Sequence, residues 1–167
     1  MNDFDFPHLR AVLEEYGQMA EAYYRDSLIA KKKNASYRLM SSVHYSTTFE
    51  GNTFAVSLEL LEYWKFIEYG RKPGRYPPPE AIIEWIKVKP ITPRPSSDGR
   101  LPSVKSLAFL IGRKIYREGI APVPAMAEAI DKVNAEMEAR IQEAIDKDMA
   151  EIVKYFQTSF AFTTLTE

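Results

Sequence analysis

The chain has no cysteine among its 167 residues. That excludes a disulfide framework, a cysteine-ligated zinc site and a thiol nucleophile. Histidine occurs only twice, at His8 and His44, so side chains that exchange protons near neutral pH are scarce. No apolar run approaches the ~20 residues needed to span a membrane. The start, MNDFDFPH, has neither the basic nor the apolar region of a signal peptide, so the expectation is a soluble protein made in a cytoplasm. Excess charge is also missing. Lys and Arg number 22 against 23 Asp and Glu, which leaves a net charge of −1 and no global field toward nucleic acid or an anionic membrane.

Aromatic and apolar residues are plentiful, at 13% and 46%, enough for one core in one domain spanning 1–167. Charge is segregated along the chain. Lys31, Lys32 and Lys33 form one basic run and residues 71–75 another, while 128–151 is rich in Glu and Asp. A basic and an acidic face on one small protein suit head-to-tail association of copies.

The periodicity predicts an amphipathic helix over 7–32, opened by Pro7 and carrying Leu9, Val12, Leu13, Tyr16, Met19 and Tyr23 at spacings of three and four. The three lysines would fill its last turn, and Asn34 would stop it. The period then changes to two. Tyr37, Leu39, Val43 and Tyr45 alternate in a first strand. After a turn at 50–52, Phe54, Val56, Leu58 and Leu60 alternate in a second, which makes a hairpin with one buried face. Residues 62–69 fit either a third strand or a short helix. Pro79 opens a helix that Pro90 ends, residues 91–102 have the composition of a mobile loop, and Ser103 caps a further helix closed by Gly119. The longest helix is expected over roughly 125–157. At ~1.5 Å per residue it would extend ~50 Å, so part of its stripe should overhang the core or be shared with a neighbour. The tail FAFTTLTE, 160–167, reads as a short strand available to a partner's sheet. The fold class is α+β, with a small antiparallel sheet (the hairpin plus an additional strand) flanked by an N-terminal helix and a long C-terminal helix.

The most informative segment is YWKFIEYGRKPGRYPPP, residues 63–79. An aromatic run breaks at Tyr69-Gly70. It gives way to Arg71, Lys72 and Arg75 interleaved with Gly74 and followed by Pro77, Pro78 and Pro79. Glycines and tandem prolines specify an extended path, so 70–79 should project as a stiff basic arm. It holds no nucleophile and no metal ligand. His44 shares a strand face with Ser42 and Ser46, but alternation on a strand is too common to mark a catalytic group. HExxH, EF-hand and phosphate-loop patterns are all missing. The expectation is no enzyme, no cofactor and no metal. The contact residues would be Glu68, Tyr69, Gly70, Arg71, Lys72, Arg75, Tyr76, Pro77, Pro78 and Pro79, facing an acidic protein surface such as the chain's own last helix. The alternative is a small nucleic-acid-binding module built on the basic runs 31–33 and 71–75.

Two segments carry a resemblance. Tyr63-Trp64-Lys65-Phe66-Ile67-Glu68-Tyr69-Gly70 stands where the small phage tail-component proteins typified by the tenth gene product of phage HK97 have "Y-A-x-x-V-E-x-G-T". Ile115-Tyr116-Arg117-Glu118-Gly119-Ile120-Ala121-Pro122 resembles their "I-x-x-x-G-I-x-P". The likeness covers roughly residues 35–135. Arg71 departs from it, standing in place of the usual small Thr. The resemblance implies a structural protein of the virion, made in the host bacterial cytoplasm. It would form a ring, commonly sixfold, at the head–tail junction or tail terminus. Its partners would be other copies of itself, the tail tube and head-completion or connector proteins, with no membrane and no nucleic acid. It also assigns Glu68, Tyr69 and Gly70 to a strand end and the start of a loop.

Overall fold

A computed structural model describes residues 5–33, 36–50, 53–89, 91–95 and 99–159. The expected tail strand at 160–167, the hairpin turn residues Gly51 and Asn52, the stop at Asn34 and part of the 91–102 loop lie outside them. Among these residues eight elements follow in order. They are α1 (Pro7–Ala30), α2 (Arg38–Ser42), β1 (His44–Glu50), β2 (Thr53–Glu59), α3 (Trp64–Glu68), α4 (Pro79–Val88), α5 (Val104–Glu118) and α6 (Ala125–Ser159). The α+β class and both flanking helices are as the periodicity predicts.

The chain groups into two compact units. The first draws on residues 1–23, 44–59 and 129–167. Its centre is Ala20, Val133 and Met137, with Val12, Tyr16, Met19, Leu58, Ile130 and Ile141 packed around them. Here α1 and α6 run antiparallel, as their polar ties show. Tyr16 Oη donates to Asn134 (2.7 Å), Arg140 grips Glu15 with both terminal nitrogens, and Asp148 receives the start of α1. The hairpin lies on α1: Phe6 meets Phe54 edge-on at 5.2 Å, and Tyr45 N–H donates to Glu21. Gly17 sits mid-helix because a Cβ there would run into the Tyr45 ring. The strands pair antiparallel from His44↔Glu59 to Glu50↔Thr53.

The second unit holds residues 24–43 and 60–128. Tyr24, Leu28, Leu39 and Val43 are fully withdrawn from solvent there. α4 packs on α5, and Gly112 permits the approach, since a Cβ at that position would lie 3.3 Å from Ile82 Cδ1.

Three expectations need correction. The first strand does not start at Tyr37, because 38–42 is α2 and β1 begins at His44. Leu39 and Val43 fit a period of two, but they also stand at i and i+4, which is one helical turn. Ser41 and Ser42 hydroxyls bond back to α2 carbonyls, and Arg25 donates to the carbonyls of Met40 (3.1 Å) and Val43 (2.8 Å), which fixes the helical choice. The additional strand is missing too. The sheet has two strands among the described residues, and 64–68 forms α3, so Glu68 ends a helix and not a strand. Tyr63, Phe66 and Ile67 recur at helical spacing. Finally, the lysine run lies beyond α1, not in its last turn. Lys32 takes a left-handed conformation (φ 54°), Lys33 N–H donates to Leu28 O and Lys32 N–H to Ile29 O. That is a Schellman stop made with lysine where glycine is usual.

Candidate interaction site

The site is built where the two motif segments meet. α3 ends at Glu68, Tyr69 caps it through its N–H to Lys65 O, and Gly70 turns the chain at φ 70°. The next residue pairs with one forty-nine positions away. Arg71 N–H donates to Ile120 O (2.9 Å), and Ile120 N–H returns a bond to Arg71 O (2.8 Å). Gly119, at φ 75°, delivers Ile120 to this bridge. Glycine is required on both sides. A Cβ on Gly70 would fall 2.8 Å from Pro122 N, and one on Gly119 would fall 3.1 Å from Pro73 N. Two further bonds lengthen the seam, Val123 N–H to Ile67 O (2.8 Å) and Gly74 N–H to Tyr116 O (2.7 Å).

Glu68 locks the seam to α6. Its carboxylate is buried and accepts from Met126 N–H (2.8 Å) and Ala127 N–H (3.0 Å). The residue before the helix, Pro124, has no side chain able to cap those donors. Glu68 supplies the missing acceptor from far back in the chain, with its negative charge at the positive end of the helix dipole.

The basic arm therefore does not project. It lies along the end of α5, held by the Arg71–Ile120 bridge and by Tyr76, which stacks on Tyr116 with centroids 4.5 Å apart and planes 16° apart. The reason is non-local: Gly70 and Gly119 allow a backbone approach that only the fold brings about. The Arg71 guanidinium turns inward to the carbonyls of Arg75 (3.3 Å) and Tyr76 (3.4 Å) and stabilises the turn. Lys72 and Arg75 remain exposed, and among the described residues neither pairs with a carboxylate. Tyr69 is 71% exposed. Pro77 and Pro79 wall a cavity of about 310 Å³ with Tyr76, Ile83 and Phe109, while Pro78 is exposed. Of the ten expected contact residues, Tyr69, Lys72, Arg75, Tyr76, Pro78 and Pro79 are exposed and Pro77 is half-buried, whereas Glu68, Gly70 and Arg71 are engaged in internal structure.

A larger cavity in the same unit, about 470 Å³, was not foreseen. Phe66, Ile67, Ile82, Trp85, Ile115 and Ile120 give it apolar walls, and Lys32, Lys33 and Lys89 also line it. The apolar cluster of α4 was legible in the sequence, but the lysine run arrives only through the turn at Lys32.

The histidines have structural surroundings. His44 is exposed at the start of β1. The Ser42 hydroxyl donates to Leu39 O and accepts from Leu61 N–H, and Ser46 donates to Glu59. The ligand atoms of His8, Asp148 and Glu151 lie within 4.8 Å of one another. Asp148 is already engaged within the chain, however. It accepts from His8 N–H (3.1 Å), His8 Nδ1 (2.7 Å) and Leu9 N–H (2.8 Å), and so acts as the cap of α1. Burial alone would raise the Asp148 pKa; the bonds from Leu9 and His8 more than reverse this and hold it below its ordinary 3.8.

No protein-family model, no curated protein and no solved structure matches this chain. Among the described residues no helix is long and apolar enough to cross a membrane.

Proposed function

We propose that this protein is a non-catalytic structural subunit that assembles with copies of itself, as a tail-completion or neck component of a tailed phage or prophage virion. One observation carries the reading. The two segments that resemble tail-component proteins, 63–70 and 115–122, are brought together by reciprocal backbone bonds between Arg71, the residue after the first, and Ile120 of the second, and the resulting clamp leaves Lys72, Arg75 and Tyr69 outward. A motif that shapes backbone and carries no reactive group fits assembly better than catalysis. The nucleic-acid reading loses one of its cations, because Lys31 pairs with Glu128 at 2.6 Å.

The test is mass photometry and negative-stain electron microscopy of the purified full chain, alone and with tail-tube and head-completion proteins from the same genome. Closed rings or co-purification with particles are expected. Lys72→Glu with Arg75→Glu should keep the fold and weaken assembly. A protein that stays monomeric at all concentrations and never joins particles would sink the reading.

A further inference from the structure

We infer that the outer face of α5 binds single-stranded nucleic acid, with phosphates on the helix cations and one base in the aromatic slot beside them. This site stands beside the assembly role and uses none of the cations of 31–33 or 71–75.

The chain's net charge of −1 hides a division between its two units. Residues 24–43 and 60–128 hold 17 Lys and Arg against 8 Asp and Glu, a net of +9; the rest of the chain holds 5 against 15, a net of −10. Charge of that size on so short a stretch draws a polyanion. α5 concentrates it, with Lys105, Arg113, Lys114 and Arg117 against the single acid Glu118. Glu118 engages Lys114 at 3.8 Å. Among the described residues Lys105, Arg113 and Arg117 pair with no carboxylate. At about 100° per residue these three fall with Phe109 and Tyr116 in one sector of roughly 120°. All five are exposed.

The cavity of about 310 Å³ opens on the same face. Tyr76, Phe109, Pro77 and Pro79 give it flat apolar walls, and Glu80 and Lys105 are the charged groups of its lining. Tyr76 is held in place by its stack on Tyr116. Every lining residue belongs to a stretch described without a break, 53–89 or 99–159. Phe109 is 61% exposed and Tyr76 is 50% exposed, so two large rings stand bare within a basic surface. An acidic protein would neutralise the cations and leave the rings without a partner. A duplex would do the same, because its bases are stacked on one another. A single strand supplies both halves: phosphates along a flexible backbone and a base face for the rings. Glu80 is the acceptor for an N–H at the base edge, and Lys105 meets the adjoining phosphate.

The probes are fluorescein-labelled oligothymidylate, oligouridylate and a duplex, each about 15 nucleotides long, titrated with the full chain and read by anisotropy. A single strand should bind more tightly than the duplex, and the tighter of the two single strands names the sugar. Affinity should fall with salt on a log–log slope of roughly −2, for three phosphate contacts. Arg113→Gln with Arg117→Gln should remove about two-thirds of that slope. Phe109→Ala should weaken binding about tenfold and leave the slope unchanged. The three positions are exposed, and circular dichroism checks that each variant is folded. No salt-dependent binding by the wild type overturns the inference. So does a Phe109→Ala variant that binds like the wild type, or a duplex bound as tightly as the single strands; either would leave only a non-specific basic surface. Polyglutamate competing as well as unlabelled oligonucleotide would give the face to an acidic protein and overturn it equally. None of these outcomes bears on assembly, which mass photometry reads separately.

Discussion

Replacing Glu68 tests whether the seam between the two motif segments depends on a carboxylate placed far from the helix it caps. The side chain is 7% exposed and is the acceptor for two backbone donors at the start of α6. Bonds to a charged acceptor contribute about 1.5–3 kcal/mol each, and a charge at a helix N-terminus adds roughly 0.3–1 kcal/mol. Water can reach part of the site after truncation, so the expected cost of Glu68→Ala is about 3–4 kcal/mol and not the full sum. Glu68→Gln keeps one acceptor, loses the charge and turns an amide N–H₂ toward a backbone N–H, for a cost of about 2 kcal/mol. In a chain of this length the Ala variant should melt roughly 10 °C lower. Urea denaturation followed by circular dichroism gives the free energies. Amide exchange at Met126 and Ala127 locates the effect, and both amides should lose protection in the Ala variant before the middle of α6 does. A Glu68→Ala change below about 0.5 kcal/mol, with exchange at those two amides unaltered, would refute the capping role.

Asp148→Asn should cost about 3 kcal/mol at pH 7, since a buried carboxylate loses its charge opposite His8 and two backbone donors. The folded pKa of Asp148 lies below its ordinary 3.8, so its contribution is complete above that pH and is lost as the pH falls further; the gap between wild type and variant in urea titrations should close in acid. Gly70→Ala should destabilise by about 2 kcal/mol or more, from φ 70° and the collision with the Ile120–Pro122 backbone, while Gly74→Ala, with open space around it, should cost only its positive φ; thermal melts rank the two. Lys32→Gly should stabilise by about 1 kcal/mol by removing a side chain from a left-handed helix stop, read from the denaturation midpoint.

The elements that a single period defines were legible in the sequence. α1, α4, α5 and α6 have apolar residues at three and four, with a proline or serine at the start, and the structure begins them at Pro7, Pro79, Val104 and Ala125. β2 alternates cleanly and lies where the alternation puts it. The first strand was not legible, because Leu39 and Val43 satisfy two periods at once and Arg25, from another helix, decides between them. The site divides the same way. Its glycines and aromatic residues could be picked out, but the folding back of the arm depends on Gly119 and Ile120, and no local pattern joins positions forty-nine residues apart. One signal was available. Pro124 opens the longest helix without a side chain that can cap it, so an acceptor had to come from elsewhere, and a glutamate at the edge of a motif was a candidate.

The internal work done by the arm also changes which of its charges can choose a partner. Arg71 was the obvious cation, since it stands where the resembling proteins have a small residue. Yet its guanidinium is turned to two carbonyls of its own loop, and its backbone is bonded on both sides to Ile120. Reversing its charge would break the turn first, so any loss of assembly would report on shape. Lys72 and Arg75 carry no such duty, and their ammonium and guanidinium groups are the arm's free charges among the described residues. A charge reversal confined to these two separates partner selection from folding. If the pair leaves melting unchanged and still reduces assembly, the arm acts through its charge. If assembly is unchanged, the arm is there to hold Glu68 and Gly70 in place, and the joint between copies must lie elsewhere on the surface.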